Sequence, residues 1–529
     1  MTVQTLSRPW AGRRALDLVR VDARSLAAVV GLWAILLLLS LAAPIDHDED
    51  QYLAAALLAR EGRLFVDFLY LQTPLQPYVM APVLAATEGW SLIAFRLLTA
   101  TLGLALLLTI FAAARLSGAS VKTAGIATLA AGCCHIFLFS TSVVRNDMLP
   151  AMLAGGAMVA GIAALRGRGD SYRLWALAGL GIGFAVSTKL SYAFPAAATG
   201  LFLLVRWWPA RRTLSAWLAL VGFSAGLLAG LLPTLSAFLA APSTFLYGVF
   251  EYGGTAPFEW YEMSGRGHRL TLTAKAVDSL MILMRGPALL AILMVAWDMY
   301  RRRVEGLITT PAMRFLEELI LAGLIAALMP TPTWRQYFIP VLAPLFARAA
   351  LVQLPKGKWR GWVVVLAVVF AAVGLSKSVD HFARAAWKEK LPAVEITRQG
   401  RWIGREVEQT GLRGEVATLS PHAMIDSRLS LMPEFATGPF AYRTGDRIDD
   451  ERQRQLVMLS PRTVARRFDC APPAAIITGF ERGDHLNGVG LDAALRRYAE
   501  AKGYRLRRYP GGEAELYLRP KQLPLTGSC

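Results

Sequence analysis

Four acidic residues that follow the first long apolar run are the first candidates for chemistry: Asp46, Asp48, Glu49 and Asp50. A carboxylate can act as a general base, and a group of carboxylates together with His47 could ligate a divalent metal ion. A single acidic residue would be enough to cap the helix predicted to follow, whereas several in a row repel each other. The acidic cluster therefore indicates a function beyond helix capping.

Polar residues recur near the ends of three later apolar segments: Arg145, Asn146 and Asp147 in SVVRNDMLP, Lys189 in VSTKLSYAFP, and Arg335, Gln336 and Tyr337 in TPTWRQYFIP. Taken singly, each has a simple explanation, such as an ion pair with a neighbour or a contact with lipid headgroups. Ionisable groups at membrane depth are nevertheless costly and often mark a functional site. Together with the acidic cluster they predict a cavity with carboxylates on one side and cations on another, suited to an anionic lipid substrate.

The elements that must position these residues are membrane-spanning helices. The chain of 529 residues is 55% hydrophobic and 18% charged, and its mean hydropathy of +0.41 is unusual for a soluble domain of this size. Its uncharged runs are long enough to cross a hydrocarbon core of roughly 30 Å as helices. We predict a polytopic α-helical membrane protein with about eleven spans, near 25–44, 92–114, 120–142, 148–165, 172–187, 191–208, 214–241, 277–298, 315–331, 336–353 and 361–377.

The positions of the basic residues predict the orientation of the spans. The formal net charge is +18, but Lys and Arg concentrate in alternate short loops, which favours topology signals over nucleic-acid binding. The basic leader 1–24 and these loops should be cytoplasmic. The long loops 45–91 and 242–276 should then be external, and their aromatic and charged residues predict helices on the membrane surface. The transmembrane domain is predicted at 25–379, and an odd number of spans places 380–529 on the external side.

The first external loop has a helical pattern of its own. The stretch QYLAAALLARE after the acidic cluster predicts a short helix, with Gly62 at the position of its C-cap. The segment TPLQPY at 73–78 then interrupts the chain before another apolar stretch. The acids thus occupy an external loop, at the start of a predicted helix.

The C-terminal region has a different composition, with short β-type runs and amphipathic patterns. EVATLS (415–420) and AAIITG (474–479) predict buried strands, LDAALRRYAEAKG (491–503) an amphipathic helix, and YRLRRYPGGEAELYLRP (504–520) a hairpin. We therefore predict a small extracytoplasmic α/β domain that acts as a lid or as an acceptor-docking module. Arg443, in the loop PEFATGPFAYR, should lie near the cavity.

The four cysteines are less informative. Cys133 and Cys134 lie within an apolar span and are predicted to be packing residues. Cys470 and Cys529 both lie in the C-terminal domain and could form a disulfide in an oxidising compartment.

The motifs around these residues resemble those of GT-C membrane glycosyltransferases, in particular the branch of protein O-mannosyltransferases and lipid A aminoarabinose transferases. That branch has Asp-Glu, a Tyr, a short helix, a Gly and a later Pro-Leu, which correspond here to Asp48, Glu49, Tyr52, Gly62, Pro74 and Leu75. RNDMLPAML is similar to its second acidic site, TKLSYAFP to its Lys-containing turn and RQYFIPVLAPLFA to its Arg/Tyr-Pro segment, which contribute Asp147, Lys189, Arg335 and Tyr337. The resemblance covers residues 25–350 and does not extend to the C-terminal domain.

The resemblance implies an inverting glycosyltransferase that takes a sugar from a polyprenyl phosphate donor and transfers it to an extracytoplasmic glycan, lipid or protein. Asp48 would be the general base, and the other catalytic acids would be Glu49 and Asp147. The donor phosphate would be bound by Arg145, Lys189, Arg335 and Tyr337. Contacts to the acceptor or the loop would come from Tyr52, Gln72 and Gln76.

Several alternatives stay open at this point. No cofactor is expected, although a divalent ion could be held by the acidic cluster. A transporter or flippase of a lipid-linked sugar would show internal repeats and charges near the middle of the membrane. A non-catalytic membrane protein of envelope assembly would not need the acidic cluster. The short loops, the basic leader and the external domain fit a bacterial inner membrane, with the active site facing the periplasm.

Overall fold

The computed structural model of the chain describes residues 23–167, 171–354, 357–388, 390–481, 483 and 490–521. Residues 1–22 of the predicted leader lie outside the described residues, and so does Cys529, so the disulfide that Cys470 and Cys529 could form is not tested. Cys133 and Cys134 are free thiols, and Cys134 belongs to the main buried core, as the prediction of packing residues requires.

Before residue 388, the regular secondary structure of the described residues is helical, apart from an isolated β-bridge between Leu64 and Phe68. Its helices are α1 (Ala23–Ala42), α2 (Glu49–Leu58), α3 (Leu75–Ala86), α4 (Ser91–Leu116), α5 (Val121–Gly132), α6 (His135–Ser142), α7 (Met148–Arg166), α8 (Ser171–Thr188), α9 (Ala193–Ala210), α10 (Leu214–Ala240), α11 (Pro242–Leu246), α12 (Tyr252–Met263), α13 (Leu272–Met284), α14 (Ala288–Val304), α15 (Pro311–Leu328), α16 (Ile339–Ala349) and α17 (Lys358–Trp387). A π-helical turn, Tyr247–Glu251, joins α11 to α12, and a 3₁₀ turn, Arg335–Phe338, precedes α16.

Every predicted span coincides with a helix or with a bent pair of helices. Within the described residues, six helices are long and apolar enough to cross a membrane, and two bent pairs would raise the number to eight. The pairs are α5 with α6, bent by 65°, and α13 with α14, bent by 94°. Three further helices, α8, α15 and α16, lie in predicted spans but are shorter or less apolar than the six. The chain is a multi-pass membrane protein, and its count of about eleven spans stays a prediction.

Small residues allow close contact between the membrane helices α8 and α10. A Cβ atom added to Gly179 would come within 2.1 Å of the carbonyl oxygen of Phe223, and one added to Gly226 within 2.0 Å of that of Ala176. Glycine is therefore required at both positions, because backbones at this separation leave no room for a side chain. The packing holds the end of α8, from which Lys189 follows.

The loop 45–91, predicted to be external, differs from its prediction in two respects. Helix α2 ends at Leu58 with Ala59 as its C-cap, so Gly62 is not the C-cap but lies in the following turn, where its N–H donates to the carbonyl of Leu58 at 2.9 Å. Residues Glu49 to Ala56 of α2 are all buried by protein. The prediction of a helix lying on the membrane surface is therefore wrong for α2. Helix α3 begins at Leu75, directly after Pro74, where the sequence predicts the interruption.

The C-terminal region forms a small α/β domain with a four-stranded sheet in the order β1-β2-β4-β3. Strands β1 and β2 are parallel, and β3 and β4 form the predicted antiparallel hairpin. The elements are α18 (Pro392–Thr410), α19 (Pro439–Thr444), α20 (Asp450–Gln455), α21 (Val464–Cys470), α22 (Ala493–Ala501), β1 (Val416–Thr418), β2 (Ala475–Thr478), β3 (Arg505–Arg508) and β4 (Glu515–Leu518). Helix α17 continues to Trp387, so the predicted boundary at 380 falls inside a helix.

Helix α2 connects this domain to the membrane helices. Ala54 of α2 belongs to the same buried core as Val416 and Phe435 of the C-terminal domain. On another side of α2, Leu53 packs in a cluster with Phe95 of α4. Because α2 begins with the acidic cluster, both parts of the molecule fix the position of these acids.

Candidate active site

Asp46 and Asp48 lie in the short turn between α1 and α2. Asp48 occupies the N-cap position of α2, but its side chain makes no capping hydrogen bond. The capping explanation is therefore wrong for Asp48, and its carboxylate is available for other contacts. Asp46 accepts a hydrogen bond from the backbone N–H of Asp48 at 3.3 Å, which fixes the two carboxylates side by side.

Arg145 lies at the centre of the site, in the segment between α6 and α7. Its Nη1 donates to Oδ2 of Asp46 at 2.7 Å and to Oδ2 of Asp48, and its Nε donates to Oδ2 of Asp147 at 3.0 Å. The ion pair of Arg145 with Asp147, one of the sequence-based explanations, is present. One arginine thus joins three carboxylates from two separate segments.

Lys189 follows α8 and donates to the second oxygen of Asp147, Oδ1. The side chain of Lys189 is only 10% exposed and that of Asp147 is fully buried. The side chain of Lys189 therefore does not extend to the lipid headgroups. Asp147 is enclosed between the two cations Arg145 and Lys189. We call Asp46, Asp48, Arg145, Asp147 and Lys189 the Asp147 cluster.

Glu49 lies outside the Asp147 cluster, because its side chain turns towards α4. It pairs with Nη2 of Arg96 at 2.7 Å, and both side chains are fully buried. It also accepts from the backbone N–H of Val144 at 2.6 Å and from that of Asp46 at 2.8 Å. This position favours a role in holding the loop over a direct catalytic role. Sequence reasoning missed Arg96, although an arginine inside an otherwise apolar span is itself a signal.

Two of the predicted acceptor-contact residues form hydrogen bonds with Asn146, the residue between Arg145 and Asp147. Tyr52 donates from its hydroxyl to Oδ1 of Asn146 at 2.8 Å, and Nδ2 of Asn146 donates to Oε1 of Gln72 at 3.1 Å. Tyr52 is 3% exposed, whereas Gln72 is half-buried. Gln76 is buried and donates to Sδ of Met80 within its own helix. Of these three predicted contacts, only Gln72 is placed at an accessible surface.

Arg335 and Tyr337 reach the cluster from the 3₁₀ turn before α16. The guanidinium of Arg335 lies 3.6 Å from the ring centroid of Phe139, and its Nη2 is 3.8 Å from Oδ1 of Asp46. The amine of Lys189 lies 5.6 Å from the ring centroid of Tyr337. Unlike Arg145, Arg335 makes only a long contact with a carboxylate, and its Nε is buried with no hydrogen-bond partner among the described residues.

Exposure and charge distinguish Asp48 from the other acids. Its side chain is 31% exposed and that of Asp46 is 22% exposed, whereas Asp147 is fully buried. Burial tends to raise the pKa of Asp48, but the positive charges of Arg145 and His47 lower it below its usual value. Asp48 is therefore an ionised, accessible carboxylate at neutral pH, which is the form that a general base requires.

The C-terminal domain completes one wall of the site. The guanidinium of Arg443 lies 4.5 Å from the ring centroid of Trp260 and 4.7 Å from that of Phe440. Its charge contributes to the low pKa of Asp48, so the predicted position of Arg443 near the cavity is confirmed. The domain is held in place by Asp50, which accepts from Nδ1 of His422 at 2.7 Å.

The predicted alternative of a metal site finds no support in the arrangement. No group of three or more His, Cys, Asp or Glu side chains suited to an ion occurs in the described part of the chain. The donors that would be needed point apart, since Glu49 contacts Arg96 and His47 contacts Glu481 at 3.0 Å.

Comparison with known proteins gives matches at the level of structure. No protein-family model and no curated protein sequence matches the chain. The structure of ArnT from Cupriavidus metallidurans bound to undecaprenyl phosphate matches with a TM-score of 0.56 at 15% identity, over 95% of this chain and 99% of that one. Its apo state gives 0.59 at 14% identity, with the same shares.

A third structure shares the architecture less completely. The apo oligosaccharyltransferase of Archaeoglobus fulgidus matches with a TM-score of 0.50 at 11% identity, over 86% of this chain and 69% of that one. The ArnT matches include the C-terminal domain, to which the sequence resemblance did not extend, because they cover nearly the whole of both chains. The chain therefore has the same fold as the ArnT structures and, over a smaller part, as the archaeal oligosaccharyltransferase.

Proposed function

We propose that the chain is an inverting glycosyltransferase that moves a sugar from a polyprenyl phosphate donor to an extracytoplasmic acceptor. The observation that carries the proposal is that Asp48 is an accessible carboxylate, which Arg145 keeps ionised. Arg335, a cation without a close carboxylate partner, lies nearby. The ArnT structure with undecaprenyl phosphate supports a lipid phosphate as the donor carrier. A bacterial inner membrane, with the site facing the periplasm, is part of the same proposal.

The reaction needs one proton transfer and one displacement. Asp48 takes the proton of the acceptor hydroxyl while the oxygen attacks the anomeric carbon, on the side opposite the phosphate. The bond between that carbon and the phosphate oxygen breaks, and polyprenyl phosphate leaves with the electron pair. Inversion follows because attack and departure occur on opposite faces. A positioned general base contributes roughly 10²- to 10⁴-fold to such a rate.

The cations have different roles in this proposal. Arg145 and Lys189 are neutralised by the aspartates that they contact, so they position Asp48 and stabilise its charge. Arg335 contacts a carboxylate only at 3.8 Å, and its Nε has no hydrogen-bond partner among the described residues. It is therefore the better candidate to bind the phosphate. A fixed cation at the developing charge of the leaving group lowers the barrier, because it needs no reorganisation during the reaction.

The acceptor is proposed to enter at the wall formed by α12 and the C-terminal domain. Trp260 and Phe440 present aromatic rings there, and Arg443 lies between them. Aromatic faces stack on sugar rings or other flat groups, and the arginine offers several hydrogen-bond donors. Support comes from Arg443, which is near enough to Asp48 to lower the pKa of that carboxyl.

The experiment that tests the proposal is mass spectrometry of polyprenyl-phosphate sugars in a deletion strain that carries Asp48→Asn. The matched control is Asp67→Asn, because Asp67 is an exposed acid of the same loop whose one ion pair among the described residues is with its neighbour Arg63. We expect one sugar-lipid to accumulate with Asp48→Asn at normal protein abundance and to be cleared with Asp67→Asn.

Two other outcomes would contradict the proposal. If the pool of sugar-lipids is the same in the deletion strain, the wild type and Asp48→Asn, the chain does not consume such a donor. If Asp48→Asn clears the sugar-lipid at the wild-type rate, the transporter and assembly functions become the better explanations.

A further inference from the structure

A cavity of about 220 Å³ lies next to the Asp147 cluster, on the side of Arg335. It is enclosed by the end of α1, by α6, by the 3₁₀ turn before α16 and by α17. Asp46 and Arg335 line both this cavity and the cluster. The other polar lining residues are His135, Ser142, Lys377, Ser378 and His381.

The lining carries more positive than negative charge. Arg335 and Lys377 face one carboxylate, Asp46, which Arg145 already contacts at 2.7 Å. Outside the lining, Arg285 is close enough to interact electrostatically with both of these cations, while Asp380 interacts with Lys377 and Asp48 with Arg335. The lining itself thus carries two cations and one carboxylate, which favours an anionic ligand.

Buried polar atoms also point to a missing ligand. His135 is 6% exposed, and neither of its ring nitrogens has a hydrogen-bond partner among the described residues. The same holds for Nε of Arg335. Buried donors without partners are rare in folded proteins because each costs roughly 1–3 kcal/mol. A ligand with several acceptor oxygens would satisfy the N–H of Arg335 and the one N–H of a neutral His135 ring.

The position of the cavity in the membrane domain indicates that the ligand carries a lipid chain. The windows of α1 and α17 that would span the bilayer are only 17% and 6% buried by protein, so both helices lie at the periphery. Leu39, Ala43 and Leu138 form an apolar part of the cavity wall, next to these helices. Lys377 is exposed on α17, where a lipid headgroup could reach it from the bilayer.

A glycine contact explains how α17 brings its basic residues to the cavity. A Cβ atom on Gly374 would lie 2.0 Å from the carbonyl oxygen of Cys133, at the break between α5 and α6. Only glycine allows α17 to approach this break, and Lys377 follows one turn later. The bend of the helix pair and the glycine of α17 thus build the cavity together.

We infer that this cavity binds the phosphate of the polyprenyl-linked donor, with Lys377 and His381 acting as phosphate-binding residues beside Arg335. The inference rests on the proposed function and extends it to residues of α17. With the phosphate at Arg335 and the base at Asp48, the sugar would lie across Asp46, between the leaving group and the nucleophile. Direct phosphate contacts from α17 also give this peripheral helix a part in the reaction.

The experiment is native mass spectrometry of the purified full chain with polyprenyl phosphate and phosphatidylglycerol supplied in equal amounts. We expect the wild type to retain polyprenyl phosphate preferentially and Lys377→Gln to bind it about tenfold or more weakly, because one charged hydrogen bond is lost. Lys377→Arg should restore binding. The matched control is Lys388→Gln, which removes an exposed charge just after the same helix.

His381→Asn provides a second variant, for which we expect weaker binding at an unchanged melting temperature. Equal binding by the wild type, Lys377→Gln and His381→Asn would overturn the inference, while loss of transfer in Asp48→Asn would leave the proposed function intact. Equal retention of the two lipids would also overturn it and would indicate a general anionic-lipid site. If the wild type neither binds polyprenyl phosphate nor transfers sugar, the proposed function fails as well.

Discussion

The two ends of α16 lie beside two charge clusters of similar composition but different character. Before its start, Arg335 lies next to the Asp147 cluster, with Nη2 3.8 Å from Oδ1 of Asp46. Near its end, Arg348 donates to Oδ2 of Asp298 and to Oε1 of Glu317, both at 2.8 Å. Asp298 also contacts Arg302 at 2.8 Å and Arg301 at 3.2 Å. We call this second group, Asp298, Arg301, Arg302, Glu317 and Arg348, the Asp298 cluster.

Exposure separates the two clusters. The side chains of Asp298 and Arg348 are fully buried, and the contacts join α14, α15 and α16. In the Asp147 cluster, Asp46 and Asp48 are partly exposed, and Arg335 faces a cavity. The difference teaches that buried ion pairs alone do not mark a reactive site in this chain. The candidate active site differs in having accessible carboxylates next to a cation, Arg335, that makes only a long contact with a carboxylate.

The largest effect on stability is expected from Asp298→Asn. The change leaves Arg302 and Arg348 without their shared partner, and breaking such a buried pair costs about 3–5 kcal/mol. Thermal unfolding should show a clearly lower midpoint, whereas transfer per folded molecule should stay at the wild-type level. Reduced transfer at unchanged thermal stability would contradict the comparison and would make the Asp298 cluster a functional site.

Arg335→Gln is expected to have the opposite effect, a lower rate of transfer at unchanged stability. The side chain of Arg335 is 26% exposed and makes no short ion pair, so we expect little change in the thermal midpoint. The rate of transfer should fall by about 10²- to 10³-fold, since a cation at the leaving phosphate is lost. Arg269→Gln is a suitable control, because Arg269 pairs with Asp278 at a partly exposed position. A large drop in stability with a normal rate per folded molecule would assign Arg335 to structure.

The residues of the Asp147 cluster could be predicted from the sequence, because loops on one side of a membrane protein meet at one surface. The acids after α1, the segment at Arg145 and the turn at Lys189 all follow the ends of predicted spans, and the structure brings them together. The strands, the helix and the hairpin of the C-terminal domain were predictable for a similar reason, since their local patterns are strong. Local pattern and shared sidedness were enough in these cases.

Direction and exposure were not predictable from the same patterns. Asp48 and Glu49 are adjacent in sequence, yet one faces Arg145 and the other is enclosed with Arg96. Neither hydropathy nor spacing shows which way a side chain turns when both faces of a helix are buried. Similarly, Lys377 ends the predicted span 361–377 and Arg348 lies within the predicted span 336–353. Only the packing of distant helices places Lys377 at a cavity and Arg348 in an ion pair.

A smaller effect is expected from Arg443→Gln, which tests how far the C-terminal domain belongs to the site. Removing this positive charge should raise the pKa of Asp48, because Arg443 is among the charges that lower it. The acid limb of the rate profile should therefore move to higher pH. Asp48 stays ionised at neutral pH, so the rate there should fall by up to about tenfold only through loss of the proposed acceptor contact of Arg443. Arg447→Gln is the control, since Arg447 lies on the same segment but contacts Glu259 at 3.8 Å. An unchanged acid limb would separate the domain from the chemistry of Asp48.

The smallest effect concerns the contact that holds the C-terminal domain on α2. Burial lowers the pKa of His422, but the charge of Asp50 and its hydrogen bond raise it, with the net result that the pKa lies above the usual 6.5. Glu49 and Glu481 also raise this pKa, and the ring of Phe480 packs edge-on at 4.8 Å. A histidine with a raised pKa stabilises the folded state fully below its unfolded pKa, and this contribution is lost as the pH rises through the folded pKa.

We therefore expect the thermal midpoint of the wild type to exceed that of His422→Gln by more at about pH 6 than at about pH 9, with a change on the order of 1 °C. Asp50→Asn should remove the same pH dependence, because its amide no longer favours a protonated ring, while its Oδ1 can still accept the backbone N–H of His422. In the double variant the two effects should not add, since both report one ion pair. Additive effects would mean that His422 and Asp50 act on separate contacts, and the domain would then be held on α2 by apolar packing such as that of Ala54.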